Sequence, residues 1–583
     1  MAFIGAKLKV LSNICHKILP SPNLFVFWRG HSNHISLKKI PFVILILFLA
    51  SCTSIDKRYD GKTVFNYNEP SGITSLDPAF SKDYSNIKAV SQIFNGLVQL
   101  DDNLKVVPCI SQSWEISNDG RQYTFHLRND VYFHDDPLFK DGKGRKVNAN
   151  DFVYSLNRII DSRIASPGAW IFNNVNNPKV PNEAGFEGFV AKDDSTFVIN
   201  LKKPYPPFIS ILTMQYCSVV PKEIVENYGK DFRSHPIGTG PFMFHLWKEG
   251  EKLILWKNPN YFESENGHRL PYLDAVAISF ITNKQAAFTD FIQGKFDFNS
   301  SIDASYKDEL LNKNGTLQKQ FEDKFKLIRQ PFLNTEYLGI LMDTTAPALK
   351  NSPLKQKAIR QAINYGFDRK LMITYLRNNV GTPGIAGMVP DGMPSFDSTK
   401  VIGYDYNPAK AKKLLKEAGF PDGKGLPIIT LSTTGTYADL CEYIQGQLEG
   451  IGIKIKIDIN QAGQHLAMVS QIKLPFFRGS WIADYPDAEN YLSLFYSKNF
   501  TPSGPNYTHF KNSTFDSLYE KSLTITNDSI RFNLYQQMDN LIMEEAPVVV
   551  LYYDQSIRLI QNNIEGLSTN PMNSLVLKRV KKR

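Results

Sequence analysis

A strand, a helix and a second strand follow one another between residues 428 and 459, and this order restricts the fold more than any other stretch. Residues 428–432 are predicted as a strand and 438–448 as a helix, while 453–459 (IKIKIDI) alternates apolar and polar residues as a strand does. Two strands joined in this way lie parallel, with a right-handed crossover. From about residue 334 onward, the chain therefore predicts an α/β lobe.

A helix with clear end signals precedes this unit. Asn407 is placed to cap it, Pro408 occupies its first position and Gly419 follows its last turn. Residues 476–482 (FFRGSWI) predict a further strand of the same lobe.

The first half of the chain has a different pattern. Residues 114–116 and 123–127 alternate around Asn118-Asp119-Gly120, which predicts a β-hairpin with one buried face. Residues 87–100 carry apolar side chains at helical spacing, and Asp151 suits the first turn of another helix. The glycines of 238–242 (GTGPF) are expected to allow unusual backbone angles at a crossing between lobes.

The strand at 476–482 ends in Ala483-Asp484-Tyr485-Pro486-Asp487, where a proline and two acids stop it. The end of a strand in an α/β protein is a common place for a ligand. Asp484 beside the aromatic Trp481 suits an ammonium group, and Arg478 adds a cation nearby. Taken alone, the local sequence favours a structural turn, with Trp481 in the core and Asp484 capping a helix.

The N-terminus predicts export. Lys38 and Lys39 precede eleven apolar residues, 40–50, which are too few for a membrane-spanning helix but suit a signal peptide. Leu49-Ala50-Ser51-Cys52 is similar to a bacterial lipobox, in which the cysteine becomes the lipid-bearing N-terminus. We therefore expect a signal peptide at 1–51, a lipid anchor on Cys52 and a tether over 52–61.

Charge gives no case for nucleic-acid binding. Without the six cations of residues 1–51, the formal net charge falls from +9 to +3. Five of the remaining cations lie in the last six residues, which we expect to form a solvated, frayed end. Three cysteines beyond Cys52 do not make a disulfide scaffold, and spacing leaves any pairing among them open: Cys109, Cys217 and Cys441.

The known catalytic signatures of serine hydrolases, zinc proteases and nucleotide-binding enzymes do not occur in the sequence. His134-Asp135-Asp136 could ligate a metal, but adjacent residues in an extended segment point to alternating sides. The acid pairs Asp484/Asp487 and Glu544/Glu545 could suggest glycoside hydrolysis. A turn and a helix end explain them more simply, so we predict no enzymatic activity, no metal and no cofactor.

An ordered set of short motifs extends over nearly all of residues 62–570. The motifs include residues 75–78 (SLDP), 113–128 (SWEISNDGRQYTFHLR), 133–135 (FHD), 151–155 (DFVYS), 238–242 (GTGPF), 258–261 (NPNY) and 481–485 (WIADY). In these motifs, and most specifically in the hairpin, the chain resembles the family 5 extracellular solute-binding proteins, the peptide-binding receptors of ABC importers.

The resemblance implies an α/β, bilobal periplasmic-binding-protein-like fold of the cluster C type, with an extra domain in the N-terminal lobe and the ligand between lobes. Domain I is expected to be discontinuous. The implied boundaries are 62–94 (domain I, first part), 95–234 (domain II), 235–335 (domain I, second part), 336–553 (domain III) and 554–583 (domain I, last part, with the basic tail).

The resemblance also implies roles for individual residues. Asp484 matches the aspartate that pairs with a peptide's α-ammonium group, Ile482 would supply backbone contacts, and Arg478 would meet a carboxylate. The family's oligopeptide receptors have a tyrosine where this chain has Gly168. The other implied ligand-binding residues are Trp481, Tyr485, Tyr552, Tyr553, Trp170 (as a substitute for that tyrosine) and Tyr84.

The function so implied is that of a monomeric, lipid-anchored receptor on the outer side of a cell membrane, periplasmic in a Gram-negative cell. It would capture a short peptide and deliver it to the permease of an ABC importer. A receptor for a non-peptide solute, such as a nickel chelate, haem or an oligosaccharide, is the first alternative, and an exported hydrolase of sugars or peptides is the second.

Overall fold

The computed structural model describes residues 61–176, 188–300, 302–303 and 306–583, and within them Gly61–Arg583 forms one compact unit. The signal peptide, Cys52 and nearly all of the tether lie outside the described residues.

Strands and helices alternate along most of the described chain. The strands are β1 Val64–Asn68, β2 Val98–Leu100, β3 Val106–Pro108, β4 Ser111–Ile116, β5 Gln122–Leu127, β6 Phe189–Ala191, β7 Thr196–Asn200, β8 Phe242–Lys248, β9 Lys252–Lys257, β10 Ser264–Glu265, β11 His268–Arg269, β12 Ala275–Ser279, β13 Phe298–Asn299, β14 Phe325–Ile340, β15 Thr382–Pro383, β16 Ile429–Thr434, β17 Ile455–Asn460, β18 Phe476–Ile482, β19 Val548–Gln561, β20 Ile564–Glu565 and β21 Lys581–Lys582. The α-helices are α1 Tyr84–Ile93, α2 Ala149–Ile160, α3 Phe208–Ile211, α4 Lys222–Tyr228, α5 Lys284–Ile292, α6 Lys307–Leu310, α7 Lys357–Tyr365, α8 Arg369–Arg377, α9 Pro408–Glu417, α10 Ala438–Glu449, α11 Ala462–Ser470, α12 Glu489–Leu492, α13 Ser513–Ser522 and α14 Asp528–Glu545.

An eleven-stranded mixed sheet runs through the molecule in the order β17-β16-β18-β14-β19-β13-β1-β12-β9-β8, with β15 paired to β19. The long antiparallel strands β14 and β19 join its two ends. Their register shifts between Pro331 and Thr335, close to the predicted boundaries at 335/336 and 553/554, which stay predictions. A separate sheet, β4-β5-β7-β6, belongs to the first half of the chain.

Two large hydrophobic cores correspond to the two ends of the main sheet. One is built from strands β1, β5, β7 and β12 together with helices α1 and α2, and includes Phe65, Phe125 and Phe152. The other packs helices α7 and α10 against β14 and β16, around Leu338 and Leu431. Strands β14 and β19 connect the two ends of the sheet, and are therefore suited to act as a hinge between two lobes.

The strand–helix–strand prediction is confirmed by β16, α10 and β17, since β16 and β17 pair in parallel from Ile429↔Ile455 to Thr434↔Asn460. The cap is also confirmed, as the Asn407 side chain accepts a hydrogen bond from the Lys410 amide. The hairpin is present as β4–β5, with Trp114 opposite Phe125 and Gly120 in the turn at φ +68°. Asp151 occupies the first turn of α2, in a capping box with Asn148.

The helix predicted over 87–100 was wrong at its C-terminal half. Helix α1 ends at Ile93 and the chain continues extended into β2, which pairs with β3. The amide of Gly240 donates to the carbonyl oxygen of Ile93 at 2.7 Å, so a distant segment takes the acceptor at the helix end. Helical spacing alone could not reveal this competition.

The glycines at 238 and 240 serve a different purpose from the one expected. Neither has a positive φ, but a Cβ on Gly238 would lie 2.1 Å from the carbonyl oxygen of Ile93, and one on Gly240 would lie 2.4 Å from its carbonyl carbon. These residues are glycines because the backbone passes directly against the end of α1.

The basic C-terminus is packed against the body, contrary to the expectation of a frayed end. The ammonium group of Lys578 lies 2.5 Å from Glu263, and that of Lys582 lies 2.9 Å from Asp297. Strand β21 pairs with β20. Acidic residues far away in the sequence, Glu263 and Asp297, therefore hold these C-terminal lysines in place.

Candidate functional site

Strand β18 brings the predicted site to one end of the second lobe. It pairs with β14 along its whole length, from Phe476↔Ile340 to Ile482↔Asn334, but meets β16 only at Phe477. Within the described residues, no strand pairs with the outer edge of 478–482. The Nε2 of His465 lies 2.8 Å from the carbonyl oxygen of Arg478, which therefore points away from β14. By the alternation of an antiparallel pair, Ser480 and Ile482 turn their N–H and C=O groups to this same free edge.

Asp484 follows the end of this strand and its side chain is exposed. Asn490, which is only 4% exposed, holds it: the Asn490 Nδ2 donates to Asp484 Oδ2, and the Asp484 amide donates to Asn490 Oδ1, both at 3.3 Å. The same Oδ1 accepts from the Trp481 indole Nε1 at 2.8 Å. Asn490 therefore fixes both Trp481 and Asp484, a role that the sequence pattern did not suggest.

The Asp484 carboxylate has no counter-ion among the described side chains. Neighbouring protein atoms partly desolvate the carboxylate and so raise the pKa of Asp484, and the hydrogen bond from Asn490 opposes that rise. A carboxylate in this setting can pair with a cationic group.

Two tyrosines from the other lobe face this carboxylate. Burial raises the pKa of Tyr84 and brings that of Tyr216 to about 12, and the negative charge of Asp484 adds to both rises. Tyr84 donates to the carbonyl oxygen of Met572 at 3.2 Å, and its ring meets Phe332 edge-on. Tyr84 was a sequence prediction, whereas Tyr216 was missed.

The position of Tyr216 explains the departure at Gly168. A Cβ on Gly168 would lie 2.5 Å from ring atoms of Tyr216, so this ring occupies the space beside the backbone. Trp170, the residue expected to compensate, is 41% exposed, and its ring centre lies 6.5 Å from that of Tyr485. An aromatic wall is present, but the local sequence around Gly168 does not contain the tyrosine that packs there.

Tyr485 lies in the contact between the lobes. Its hydroxyl donates to Glu489 at 2.5 Å, and the hydroxyl of Tyr205, from the first lobe, donates to the same carboxylate at 3.0 Å. A third hydroxyl, from Tyr519, donates to the other oxygen of Glu489. Burial raises the pKa of Glu489, and the bonds from the tyrosine hydroxyls oppose this. Glu489 thus connects β18's lobe to the first lobe.

Arg478 and Tyr552 belong to a charged cluster further along the same face of the sheet. Arg478 forms an ion pair with Glu336 and lies over the ring of Tyr437, 3.3 Å from its centre. Arg377 lies over the ring of Tyr552 at 4.4 Å. Tyr552 is itself buried.

Tyr553 points to the opposite face of the sheet, as the alternation of a strand requires. Its hydroxyl donates to the carbonyl oxygen of Gly387 at 2.6 Å, and its ring is buried in the core of the second lobe. The structure therefore brings together Asp484, Trp481, Ile482 and Tyr84, and sets Tyr553 apart from them.

Two residues of the possible metal motif at 134–136 contact other groups of the protein, a backbone carbonyl oxygen and a lysine side chain. The His134 ring contacts the Gly240 carbonyl oxygen at 2.9 Å, and Asp135 pairs with Lys143 at 2.8 Å. Over the described ranges, no group of three metal-binding side chains occurs and no helix is long and apolar enough to cross a membrane. The three cysteines beyond Cys52 are buried free thiols: Cys109, Cys217 and Cys441.

Comparison with known proteins adds three findings to this geometry. A family model described as bacterial extracellular solute-binding proteins, family 5, matches residues 105–503. The glutathione-binding protein GsiB of Salmonella choleraesuis (strain SC-B67) is 27% identical over 509 residues, which cover 86% of this chain and 91% of GsiB.

Solved structures show the same fold. The unliganded open form of the periplasmic murein tripeptide-binding protein MppA superposes with a TM-score of 0.74 at 24% identity, covering 89% of this chain and 98% of MppA. The ABC-transporter-associated periplasmic binding protein DppA of Helicobacter pylori, in complex with the peptide STSA, gives 0.69 at 24% identity, covering 90% and 99%. The α/β periplasmic-binding-protein fold expected from the sequence is thereby confirmed. The chain belongs to the family 5 bacterial extracellular solute-binding proteins, the solute receptors that work with ABC transporters.

Proposed function

We propose that this protein is a lipid-anchored, monomeric receptor that captures short peptides outside the cytoplasm and delivers them to the permease of an ABC importer. The observation that carries the proposal is the Asp484 carboxylate, which is exposed, held by Asn490 and without a cation among the described residues. A peptide's α-ammonium group would supply the missing charge, close to the aromatic residues Tyr84 and Tyr216.

The free edge of β18 supports a peptide rather than a lone amine. Ser480 and Ile482 direct backbone donors and acceptors to an edge that no described strand covers. An extended peptide can add to such an edge through main-chain hydrogen bonds, which do not depend on its side chains. Asp484 at the end of the strand would then set the position of the peptide's N-terminus.

The lobes are arranged to close over such a ligand. Strands β14 and β19 connect them, and Tyr205 and Tyr485 meet at Glu489 across the junction. Rotation about the two strands would open this contact and admit the peptide. The relatives named for glutathione and for murein tripeptide, together with the structure holding the peptide STSA, favour a peptide-like ligand.

Two measurements test the proposal. Native mass spectrometry of freshly purified protein should show a bound mass that is released as a peptide. Calorimetry should show that trialanine binds and that N-acetyl-trialanine binds at least 100-fold more weakly, because acetylation removes the ammonium charge. Equal affinities for the two would overturn the role of Asp484, and release of a chelate, haem or sugar would favour a non-peptide receptor.

A further inference from the structure

The charged cluster beside Arg478 consists of two arginines and two acids whose charges balance. Arg478 pairs with Glu336, with side chains 13% and 5% exposed. Arg377 pairs with Asp554 at 2.9 Å. Asn334 joins the two pairs, since its Nδ2 donates to Glu336 at 3.2 Å and to Asp554 at 3.3 Å.

The cluster lies on the path that a peptide anchored at Asp484 would follow. Arg478 and Ile482 are four residues apart on one face of β18, or roughly 13 Å at the rise of a strand. Glu336 lies opposite Ser480 on β14, and thus between them on the same face. Since an extended peptide advances by about 3.5 Å per residue, the third or fourth residue of the ligand reaches this cluster.

Glu336 already provides Arg478 with a carboxylate partner inside the protein. Without Glu336, a ligand carboxylate could take that place. Burial raises the pKa of Glu336, and the guanidinium of Arg478 opposes that rise. A ligand carboxylate arriving here would bring a further negative charge beside Glu336 and Asp554, whose arginines are already paired. Like charges held close together in a buried site oppose one another, so the cluster disfavours a carboxylate.

The hydrogen-bonding capacity left in the cluster is that of an uncharged polar group. Among the described residues, the Nε of Arg478 is a buried donor without a partner, and the Oδ1 of Asn334 is a buried acceptor without one. The orientation of the Asn334 amide is settled by its two carboxylate acceptors, because an oxygen placed there would face both of them. An amide donates and accepts at once and adds no charge, so it suits a charge-balanced cluster with one donor and one acceptor left over.

We propose that Glu336 makes this part of the groove selective for an amide and against a terminal carboxylate, so that the receptor favours peptides whose C-terminus extends beyond Arg478 or is amidated. This inference rests on the proposed function. It assigns Arg478 to an internal ion pair, in place of the ligand carboxylate suggested by the family resemblance.

The ratio of affinities for a peptide acid and its amide tests the inference. Calorimetry would use trialanine and tetraalanine, each as the free acid and as the C-terminal amide. We expect each amide to bind at least as tightly as its acid. Glu336→Gln removes the carboxylate that neutralises Arg478. In this variant the affinity for the acid relative to that for the amide should rise tenfold or more for trialanine, tetraalanine or both.

Glu263→Gln is the matched control, because Glu263 is a half-buried carboxylate with a cationic partner, Lys578, but lies in the first lobe. Its ratios should equal those of the unaltered protein. A tenfold preference of the unaltered protein for either acid would overturn the inference, and this arm needs no variant to fold. Unchanged ratios in a Glu336→Gln protein that still binds would also overturn it, leaving the peptide receptor intact. Failure of all four peptides to bind would overturn the proposed function and this inference together.

Discussion

Arg478 lies within strand β18 and Asp484 lies six residues later, just past its end, yet their surroundings are opposite. Asp484 is exposed, held by a neutral amide and has no described counter-ion. Arg478 is mostly buried, paired with Glu336 and covered by the ring of Tyr437. A charge left open to solvent can recruit a ligand, whereas a charge neutralised within the protein can only position or exclude one. On the proposed function, the two ends of the groove would recognise a ligand by different means, and each can be changed separately.

The largest effect should follow from removing one member of the Arg478–Glu336 ion pair. Arg478→Met leaves Glu336 buried without its cation, so we expect the free energy of unfolding at pH 7 to fall by about 3–5 kcal/mol. Because an unpaired, buried glutamate has a raised pKa, this loss should shrink as pH falls toward the ordinary glutamate value of about 4.3. Chemical denaturation at pH 7 and pH 4.5 measures both.

The double variant Glu336→Gln/Arg478→Met provides the control, because it removes both charges and should restore most of the stability at pH 7. An Arg478→Met protein as stable as the unaltered one would mean that the pair is not buried in solution.

Removing the charge of Asp484 should weaken peptide binding without lowering the stability of the fold. In Asp484→Asn the shape is kept and the charge is lost, so we expect peptides with a free amine to bind about 100-fold more weakly, equivalent to about 2.7 kcal/mol. The unfolding transition should not move downward, since Asp484 pairs with no cation in the part of the chain that the structure describes. Calorimetry and thermal denaturation separate the two effects.

Asp422→Asn serves as the control for this change, because Asp422 is an exposed aspartate in a turn of the same lobe. Its peptide affinity should match that of the unaltered protein. An equal loss of affinity in both variants would show that general surface charge, and not the Asp484 site, governs binding.

The raised pKa of Asp484 gives the open end a characteristic pH dependence. Only the ionised carboxylate pairs with an ammonium group, and burial raises its pKa above the ordinary value. Affinity should therefore be full at neutral pH and begin to fall, as pH is lowered, before the ordinary aspartate value of about 3.9 is reached. Below the raised pKa the loss should approach tenfold per pH unit.

Calorimetry between pH 4 and pH 8 follows this change. The same titration in Asp484→Asn should be flat over the range in which the unaltered protein loses affinity. A variant with the same pH profile would place the titrating group elsewhere.

The smallest effect should come from the junction between the lobes. Tyr205→Phe removes one of the three hydroxyl donors to Glu489, and the donor lost is the one from the first lobe. The closed form loses about 1 kcal/mol, so we expect affinity to fall about fivefold for peptide acids and peptide amides alike. The acid-to-amide ratio should stay unchanged, and a changed ratio would show that Tyr205 contacts the ligand directly. Tyr228→Phe, in a half-buried tyrosine of the first lobe that stacks on His235, should leave affinity as it was.

Local pattern determined much of the second lobe from sequence. Strand β18 has the predicted limits, 476 and 482, and the Asn407 cap and parallel β16–β17 pair were predicted from spacing and end signals alone. These features depend on neighbours within a few residues, where periodicity and capping act. Asp484 as the ammonium anchor came from a motif and stays a prediction.

Tertiary structure alone decided what each charge meets. Glu336 and Arg478 are 142 residues apart, Lys578 and Glu263 are 315 apart, and no local signal connects either pair. Tyr216 reaches the site by packing on Gly168, and the end of α1 is set by Gly240 rather than by its own residues. Sequence supplies the side chains and their periodicity, but burial and charge pairing depend on which distant segments the fold brings together. In the sequence, Asp484 and Arg478 are each simply a charged residue. Only the fold pairs Arg478 with Glu336 and leaves the Asp484 carboxylate without a counter-ion among the described residues.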